Sequence, residues 1–538
     1  MLKHWPEFIA FAAILGVLLL DAAPDMTWIN TCSDGPHYVY ASKYLYVAHK
    51  GGAPLFILLG KLFLLIPFGT EFWRMTLISV IASVVASVLI YLIVKHHLKD
   101  NPKARWYGLL GAVAYGGSAL VISQSTIVET YALTTMLGLL AYLMVLKNRF
   151  AWASVAIGAG LAVHPITLFV AIPIVLFNKK IRKLKYLAIV AAFGLFYLYN
   201  PIIARLNPPP YDMWSNLTPG NGLVDFFSTA IMLSGGLAIW DFPQRVLDTV
   251  GILGLSLGIM LVGLVVYLLI TKKVWKTDLF WLFALPLLYF LSDLAPQTYV
   301  YLMPSIAFGV IMACIAVSRK LNLIAVWACV IVLTVVNTYA FDIGRTLDPE
   351  LSATKYYREE LSKVPDGQFL MPQYGWQWAM IFLYNKNEGR NIVPICVDTV
   401  VSSTYQDQLH KDGVKFDDVG IATRTDTLEK QNELATSIVR LNENVWVTRD
   451  TVPETYGTEV IQANHDESLV RKVSPYPPGQ WHWKPSNPFE FITGSIEIRK
   501  WCFITLTNWN VLFFIGFASA GLIVNHLLWW VIGKRVKV

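Results

Sequence analysis

MTLISVIASVVASVLIYLIV, residues 75–94, is a run of twenty residues without a charged side chain, and the basic segment KHHLK (95–99) follows it directly. A helix that crosses the hydrocarbon core of a bilayer needs about 20 predominantly apolar residues, so this run predicts a membrane-spanning helix. Lys and Arg accumulate in the short cytoplasmic loops of membrane proteins. The pattern therefore predicts that residues 95–99 lie in the cytoplasm and that the helix begins on the outer side.

The same pattern recurs along the chain, which is 55% hydrophobic and 15% charged, with a mean hydropathy of +0.50. A soluble domain contains roughly 25% charged residues, so this composition indicates an α-helical polytopic membrane protein. The other predicted spans are residues 5–20, 106–123, 131–146, 185–203, 250–270, 279–291, 299–317, 321–341 and 503–532.

Two apolar segments are not predicted to be single membrane-spanning helices. The run APLFILLGKLFLLIPF (53–68) has only 16 residues, and a crossing there would place the basic loop at 95–105 outside, so we predict an interfacial helix on the outer face. Residues 150–177 have basic residues at both ends and contain His164-Pro165, and proline disfavours helix in the residue before it. We therefore predict two short helices broken at His164, about 12 spans in all, and both termini in the cytoplasm.

Residues 341–500 form the predicted soluble domain. They hold 23 of the 36 acidic residues but only 17 of the 43 basic ones. The segments DGQFLMP, NIVPICVDTV and VWVTRD are typical of strands, and GWQWAMIFLYN is typical of a helix. We predict a multi-span domain over 1–340 with a long outer loop at 21–74, a small extracytoplasmic α/β domain over 341–500 before the last span, and a spanning helix with a basic cytoplasmic tail over 501–538.

Ionisable residues collect in the outer segment SDGPHYVYASKYLYVAHKGGAPLF (33–56). Asp34 precedes Gly35-Pro36 and is therefore expected on a loop; Asp21 and Asp25 lie closer to the membrane. A carboxylate at a bilayer surface can deprotonate a hydroxyl or hold a divalent ion, although an isolated loop acid is more often simply solvated.

A second acid, Glu129, occurs in SQSTIVETYAL (123–133), where an outward span turns back. Ionisable groups at membrane depth are costly and tend to be functional. The alternative is an acid that stabilises a helix N-terminus.

Further candidates are basic residues and histidines that the predicted topology places on the same face: His37, His49, Arg74, His164 and Arg205. An arginine beside a membrane-spanning helix can bind a lipid phosphate through paired hydrogen bonds, or its side chain can simply extend to the membrane–water interface. His37 and His49 are twelve residues apart and do not share a helical face, so a joint metal site is not indicated. His164 suits a proton carrier or a hydrogen-bond donor to phosphate, with a helix-ending histidine as the alternative.

Several function classes are disfavoured. The net charge of +7 comes from basic loops between spans, so it indicates topology rather than nucleic-acid binding. No Walker A, GxGxxG or HExxH motif appears. The five cysteines lack metal-ligand spacing; Cys32 and Cys396 face the outer side in this topology, but pairing cannot be deduced from sequence.

The outer-face residues resemble those of a family of GT-C type membrane glycosyltransferases that includes the vertebrate O-mannosyltransferase acting on plexin-type IPT domains. That family has an acid-glycine-glutamate loop and, fifteen residues on, a His-Pro-Pro-Gly-x-Pro-Leu segment; here Asp34 precedes HKGGAPL (49–55) at that spacing. His37 stands in place of the glutamate, and Lys50-Gly51 in place of the prolines. The similarity continues through Arg74, SQSTIVETYAL, GLAVHPITL, NPPPYDMW, DLAPQTYVYLMP and YNKNEGRNIVPICVDTV.

The resemblance implies a glycosyltransferase that moves a sugar, with mannose as a candidate, from a polyprenyl-phosphate donor to a protein or glycan acceptor on the outer or lumenal side. It implies Asp34 as the general base and Glu129 as a second acid that orients the acceptor or binds a metal. A single displacement with one base would invert the anomeric carbon, as in inverting glycosidases. The implied binding residues are His37, His49, Arg74, His164 and Arg205.

The resemblance leaves the metal site unassigned, with a divalent cation as a candidate cofactor. Membrane lipids are expected partners, and the membrane is the plasma membrane of a prokaryote or the endoplasmic reticulum.

The main alternative is a transporter or flippase of lipid-linked sugars. Such a protein is expected to carry repeats with broken helices in corresponding positions, whereas the sequence has one broken pair, at 150–177, without a counterpart. A sensor with a ligand-binding outer domain would not explain acids concentrated at span ends. The sequence therefore favours an enzyme over both.

Overall fold

The computed structural model describes residues 4–26, 34–48, 52–207, 242–292, 298–340, 358–359, 361–372, 375–395, 403–418, 430, 433–435, 437–438, 441–442, 445–448 and 472–473. Most of these residues are helical. The predicted span at 503–532, His49, Cys32 and Cys396 lie outside the described residues.

In chain order the helices are α1 Trp5–Leu20, α2 Gly35–Tyr44, α3 Pro54–Phe63, α4 Glu71–His97, α5 Ala104–Gly116, α6 Ala119–Ser125, α7 Tyr131–Leu146, α8 Phe150–Val163, α9 Leu168–Phe177, α10 Leu184–Phe193, α11 Tyr199–Leu206, α12 Phe242–Leu257, α13 Ile259–Ile270, α14 Asp278–Ser292, α15 Met303–Lys320, α16 Leu323–Ala340, α17 Gly375–Glu388 and α18 Ser403–Lys411. The strands are β1 Phe369–Met371, β2 Val393–Pro394, β3 Val445–Thr448 and β4 Lys472–Val473.

Long apolar helices define the N-terminal part of the molecule. Within the described ranges, three helical segments are long and apolar enough to cross a membrane: Glu71–His97, Leu184–Ile203 and Tyr299–Arg319. The number rises to five if each of two bent helix pairs counts as one span. Helices of this length and composition are those of an integral membrane protein. The total of about 12 spans and their orientation stay predictions.

Helix α4 contains the opening apolar run and extends it at both ends. Thr70 precedes the helix, and its side-chain oxygen accepts a hydrogen bond from the Trp73 amide at 3.1 Å, which satisfies one of the unpaired donors of the first turn. The helix packs against α1, α5 and α7. Three serines at four-residue spacing, Ser79, Ser83 and Ser87, share one face of α4, and small residues let neighbouring backbones approach closely inside a membrane.

The two ends of α4 differ in chemistry. At its C-terminal end the Tyr91 hydroxyl donates a 2.7 Å hydrogen bond to Glu7 on α1, and Arg105 forms an ion pair with the same carboxylate. At its N-terminal end, Thr70 donates to the carbonyl of Pro24, which follows α1. Helix α1 therefore runs antiparallel to α4, and the loop after α1 lies at the end opposite the basic segment 95–105.

The predicted break at His164 is confirmed. Helix α8 ends at Val163, His164 is extended (φ −157°, ψ 136°), and a 3₁₀ turn, Pro165–Thr167, leads into α9. The His164 amide still donates to the Gly160 carbonyl at 2.8 Å, while proline at the next position disfavours helical geometry at His164 itself.

Two predicted spans contain bends that the hydropathy pattern does not reveal. Residues 106–123 correspond to α5 and α6, which meet at 61°. Residues 250–270 fall on α12 and α13, which meet at 110° at Gly258 (φ +51°). Glycine adopts this backbone region without the Cβ clash that other residues meet, so one residue redirects an otherwise uniformly apolar segment.

The C-terminal described residues include a four-stranded parallel sheet of order β2-β1-β3-β4. Phe369 pairs with Val393 on one side and with Val445 on the other. The segments predicted as strands contain β1, β2 and β3, and α17 lies on the predicted helix; it forms the crossover that parallel β1 and β2 require. The extent of the domain over 341–500 stays a prediction, because most of the remaining residues lie outside the described ranges.

Helix α17 packs directly on α2. The rings of Trp378 and Phe382 lie 5.4 and 5.8 Å from that of Tyr40, and Phe382 also meets Tyr44 at 5.5 Å. Lys43 donates a 2.6 Å hydrogen bond to the side chain of Asn387. The sheet region is therefore attached to the helix that begins immediately after Asp34.

Candidate active site

Asp34 lies just before α2, as its neighbours Gly35 and Pro36 predict. Proline suits the first turn of a helix because it needs no hydrogen-bond acceptor there. The Asp34 carbonyl accepts a 3.0 Å hydrogen bond from the Tyr38 amide, which begins the helical ladder. The Asp34 side chain is half-buried, so its carboxylate keeps some contact with solvent.

Glu129 lies in the turn between α6 and α7 and is only 5% exposed. The Ser79 hydroxyl on α4 donates a 2.8 Å hydrogen bond to the Glu129 carbonyl, and the Glu129 amide donates to the same oxygen at 3.4 Å. The Glu129 carboxylate accepts from the Thr130 amide at 3.4 Å. The turn that carries the second acid is therefore fastened to the serine face of α4.

Asp34 and Glu129 are brought into one site. Burial, followed by the negative charge of Asp34, raises the pKa of Glu129 well above its usual range. The charge of Asp34 therefore acts on the Glu129 carboxyl in the folded chain, as expected for neighbouring acids. Glu129 therefore keeps its proton to a higher pH than an exposed glutamate does, and two carboxyl groups with different environments are the pattern that separates acid from base roles.

Tyr38 on α2 lies beside both acids. Burial and the charges of Asp34 and Glu129 raise the pKa of its phenol well above 10. The ring is 1% exposed and meets Phe56 edge-on at 5.0 Å. The phenol consequently keeps its proton and acts as a hydrogen-bond donor or acceptor within the site.

An aromatic strip, formed by Tyr131, His164, Tyr289 and Tyr301, extends from the two acids. Tyr131 interacts electrostatically with Asp34 and Glu129. Its ring lies 5.3 Å from that of His164 and 5.7 Å from that of Tyr301, which in turn lies 5.3 Å from Tyr289. All four side chains are half-buried, so their rings combine an apolar face with a polar tip.

His164 is oriented by its own helix break. Its Nδ1 accepts a 3.1 Å hydrogen bond from the Ile166 amide. Because an accepting Nδ1 carries no proton, the proton of the ring lies on Nε2. The break therefore presents His164 to the strip as an N–H donor.

The remaining predicted site residues have other surroundings. His37 on α2 is 6% exposed and meets Tyr40 edge-on at 6.0 Å. The Arg74 guanidinium donates to the carbonyls of Leu64 and Ile66 at 2.7 and 2.9 Å, and so holds the turn between α3 and α4. His49 and the side chain of Arg205 lie outside the described part of the chain.

No metal centre is evident among the described residues, which contain no group of three or more His, Cys, Asp and Glu side chains able to hold an ion. Asp34 and Glu129 supply two carboxyl groups to one site, and two oxygen ligands with waters suit a hard divalent cation. The divalent cation stays a candidate.

Tyr38, Tyr131 and Tyr301 are not among the site residues predicted from the sequence. Each of them lies in or directly beside a segment that carried the resemblance: Tyr38 four residues after Asp34, Tyr131 two after Glu129, and Tyr301 within DLAPQTYVYLMP. Closeness in sequence to a candidate acid is the feature that could have indicated these tyrosines as site residues. The chain has 25 tyrosines, however, so this closeness does not distinguish Tyr38, Tyr131 and Tyr301 from the others.

Comparison with known proteins identifies one family model that matches part of the chain. Residues 34–186 match the family model described as "Protein O-mannosyl-transferase TMEM260 N-terminal domain". The match begins at Asp34 and includes Glu129 and His164. It confirms the predicted resemblance and the predicted enzyme class, a glycosyltransferase.

Three solved structures have a similar chain path over most of this chain. ArnT from Cupriavidus metallidurans bound to undecaprenyl phosphate is 10% identical with a TM-score of 0.48, over 73% of this chain and 90% of that one. The Archaeoglobus fulgidus oligosaccharyltransferase tethered with an acceptor peptide is 12% identical with a TM-score of 0.44, over 81% and 71%.

A third similar structure is arabinofuranosyltransferase AftD from Mycobacteria, with 13% identity and a TM-score of 0.40, over 69% of this chain and 30% of that one. No match is found among curated proteins.

Proposed function

We propose that this chain transfers mannose from a polyprenyl-phosphate-linked donor to a hydroxyl acceptor on the extracytoplasmic side of the membrane. The observation that carries the proposal is the pairing of a half-buried Asp34 with a buried Glu129 whose pKa is raised. The match of residues 34–186 to an O-mannosyltransferase domain supports mannose as the sugar.

Asp34 is the proposed general base. The acceptor oxygen attacks the anomeric carbon, its proton passes to the Asp34 carboxylate, and the bond from that carbon to the phosphate oxygen breaks. The phosphate leaves with the electron pair, and a single displacement inverts the anomeric centre. Of the two acids, Asp34 is the more exposed, so an incoming hydroxyl reaches it more directly.

Glu129 is proposed to act in its protonated form. A protonated carboxyl donates a hydrogen bond, and one close to the base can hold the acceptor or a sugar hydroxyl in the attacking position. Holding two reactants in the attacking geometry supplies a large part of the reduction in activation free energy of a bimolecular transfer. Ser79 contributes by fixing the backbone of the residue.

The aromatic strip is the proposed donor side of the site. The flat faces of Tyr131 and Tyr301 offer a surface for the C–H face of a sugar ring, and their hydroxyls reach polar groups at its rim. The Nε2 proton of His164 suits a phosphate oxygen of the leaving group. A hydrogen-bond donor aimed at the charge that develops on the leaving group stabilises the transition state, and this effect is largest where water is excluded.

The test uses membranes containing the full chain, a polyprenyl-phosphate donor with radiolabelled mannose, and the co-isolated membrane proteins as acceptors. Wild-type chain is expected to transfer label to protein. Asp34→Asn is expected to lower the rate by about 10²–10⁴-fold, which is the usual contribution of a general base. Asp100→Asn, the same change at an exposed position near the basic segment, is the matched control and should keep wild-type activity.

Two results would contradict the proposal. Transfer by Asp34→Asn at the wild-type rate would exclude Asp34 as the base. Absence of label in protein with the wild-type chain, alongside accelerated movement of the intact donor between leaflets, would favour the flippase alternative.

A further inference from the structure

A separate cavity of about 250 Å³ lies where α17 meets the N-terminal end of α4. Its walls include Phe72 and Arg74 from α4 and Met380, Leu383 and Tyr384 from α17. We call it the junction cavity. Asp34 and Glu129 do not line it, so it is distinct from the candidate active site.

Most charged groups that line the junction cavity are already paired. Glu71 lies 2.5 Å from the Lys43 ammonium, and Glu388 lies 3.0 Å from Arg358. Arg74 donates to the backbone carbonyls of the turn before α4. These groups are consequently held in place before any ligand arrives.

Asp25 is the exception. Its carboxylate lines the junction cavity, and among the described residues it makes no hydrogen bond or ion pair. Burial raises its pKa to about 6, against a weaker opposing effect of the Arg358 charge. A half-buried carboxylate without a hydrogen-bond donor is unfavourable, and in a cavity the missing donor is one that a ligand can supply.

The charged groups around Asp25 indicate which kind of hydrogen-bond donor a ligand would offer to its carboxylate. The cavity lining contains three carboxylates, those of Asp25, Glu71 and Glu388, and two guanidinium groups, those of Arg74 and Arg358. Lys43, outside the lining, pairs with Glu71 and brings the charges into balance. The balanced charges attract neither a cation nor an anion strongly. Neutral hydroxyl groups can donate to a carboxylate without disturbing that balance.

The volume of the junction cavity and its apolar side chains further limit the classes of ligand that fit. The volume is below the about 300–1,000 Å³ of pockets for drug-sized molecules, so a lipid chain or a folded segment does not fit. Phe72, Met380 and Leu383 add apolar side chains to a lining that also contains polar groups. One ring with hydroxyls on its edge and C–H groups on its face matches both features.

We propose that the junction cavity is a second carbohydrate-binding site, which holds one sugar unit through hydrogen bonds from its hydroxyls to Asp25. The site acts by binding alone and needs no transfer chemistry. The sugar comes either as a free monosaccharide or as part of a glycosylated peptide, and the two sources share the same contacts.

The experiment measures binding of methyl α-mannoside to the full chain in nanodiscs by saturation-transfer NMR. Asp25→Ala is expected to weaken binding by about tenfold, because a charge-assisted hydrogen bond is lost. Asp25→Asn, which keeps one acceptor oxygen, should lose less. Removing an unpaired carboxylate does not leave a new buried charge, so both variants are expected to fold. Asp100→Ala is the control.

Asp34→Asn separates this inference from the proposed function. The variant should keep binding of methyl α-mannoside, whether or not the chain transfers mannose. A mannosylated threonine peptide that binds more tightly than methyl α-mannoside would identify glycosylated acceptor as the source; equal affinities would identify the monosaccharide.

Three results would overturn the inference. Wild-type chain that does not bind the sugar, or Asp25→Ala that binds it as wild type does, would exclude the site. Binding lost in Asp34→Asn would place the sugar in the candidate active site instead. Asp25-dependent binding of lysine methyl ester or inorganic phosphate, in preference to the sugar, would assign the cavity to a charged ligand.

Discussion

Ser79 on α4 holds Glu129 by its backbone: the serine hydroxyl donates to the Glu129 carbonyl at 2.8 Å and accepts from its amide at 3.4 Å. The contact joins a helix long and apolar enough to cross a membrane to one of the two acids of the candidate site. It explains how a turn between two helices can keep a buried carboxyl at a fixed position. The same contact gives the first prediction.

Ser79→Ala is expected to lower kcat for mannose transfer by about fivefold, because the two hydrogen bonds between the serine hydroxyl and the Glu129 backbone, together worth about 1 kcal/mol, are lost. KM should change little, since Ser79 does not face the substrate directly. Ser79→Thr, which restores a hydroxyl, should recover most of the rate. Ser87→Ala is the control, because that hydroxyl bonds the Ser83 carbonyl of its own helix; an equal loss in both variants would argue against a specific role.

Glu129→Gln is predicted to change the pH profile more than the rate at neutral pH. The pKa of Glu129 is raised by burial and by Asp34, so the protonated form is present below that pKa and is lost as pH rises through it. Activity of the wild-type chain should therefore fall at high pH. Glutamine cannot ionise, so the variant should lack that fall, while Glu129→Ala should lose activity throughout. A high-pH fall retained in Glu129→Gln would assign it to another group.

Tyr301 is predicted to bind the donor through its ring. Tyr301→Ala should raise KM for the polyprenyl-phosphate-mannose donor by about tenfold, because an aromatic contact and its buried area are lost. Tyr301→Phe keeps the ring and should stay within about threefold of wild type. Steady-state kinetics with varied donor would measure both. A loss confined to kcat would instead indicate a role in the chemical step.

Asp25→Asn is predicted to stabilise the unliganded chain at neutral pH. The pKa of Asp25 rises from 3.8 to about 6 on folding, so the folded state binds more protons and stability decreases as pH rises between these values. The groups that face Asp25 across the cavity are Glu71, Arg74, Arg358 and Glu388. The variant should be more stable than wild type by about 1–2 kcal/mol at pH 7.5, a figure reduced for partial exposure.

The measurement is the apparent unfolding temperature of the chain in nanodiscs at pH 4 and pH 7.5. The two proteins should agree at pH 4, where the wild-type carboxyl is mostly protonated, and differ at pH 7.5. A difference of equal size at both pH values would show that the substitution acts through packing rather than through ionisation.

Trp378, on α17, is predicted to stabilise the position of α2, the helix that follows Asp34. The side chain is fully buried, stacks on Phe382 at 5.4 Å and meets Tyr40 of α2 edge-on at 5.4 Å. Trp378→Ala should cost about 3–5 kcal/mol of stability and loosen the helix that follows Asp34, whereas Trp378→Phe should retain more of both stability and activity. Unfolding temperature and transfer rate together would measure this. Full activity in a destabilised Trp378→Ala would separate α17 from the function of α2.

The helical plan was predictable from sequence because it depends on local properties. The run at 75–94 lies within α4, the run at 5–20 is α1, and the proline at 165 ends α8 where predicted. Hydropathy over twenty residues and the stereochemistry of proline act within a single segment. The bend at Gly258 was not predictable, because a positive φ is permitted by glycine but required only by the surrounding packing.

The candidate site was predictable in part. Asp34 and Glu129 stood out as acids at span ends, and the structure brings them together. Arg74 also stood out, but its guanidinium holds carbonyls of a neighbouring turn, which no sequence pattern revealed. In the sequence, Asp25 is not distinguishable from any other acidic residue of a loop. Only the packing of α17 shows that it lines a cavity.

The sequence by itself determined that the chain is a helical membrane protein, where most of its helices lie, and which acids to consider, since apolar length and charge are properties of segments. Only the tertiary structure decided which acids share a site, which tyrosines line it and which carboxylate lines a second cavity. Those relationships join residues about 100 to 350 positions apart, and packing of helices rather than local preference sets them.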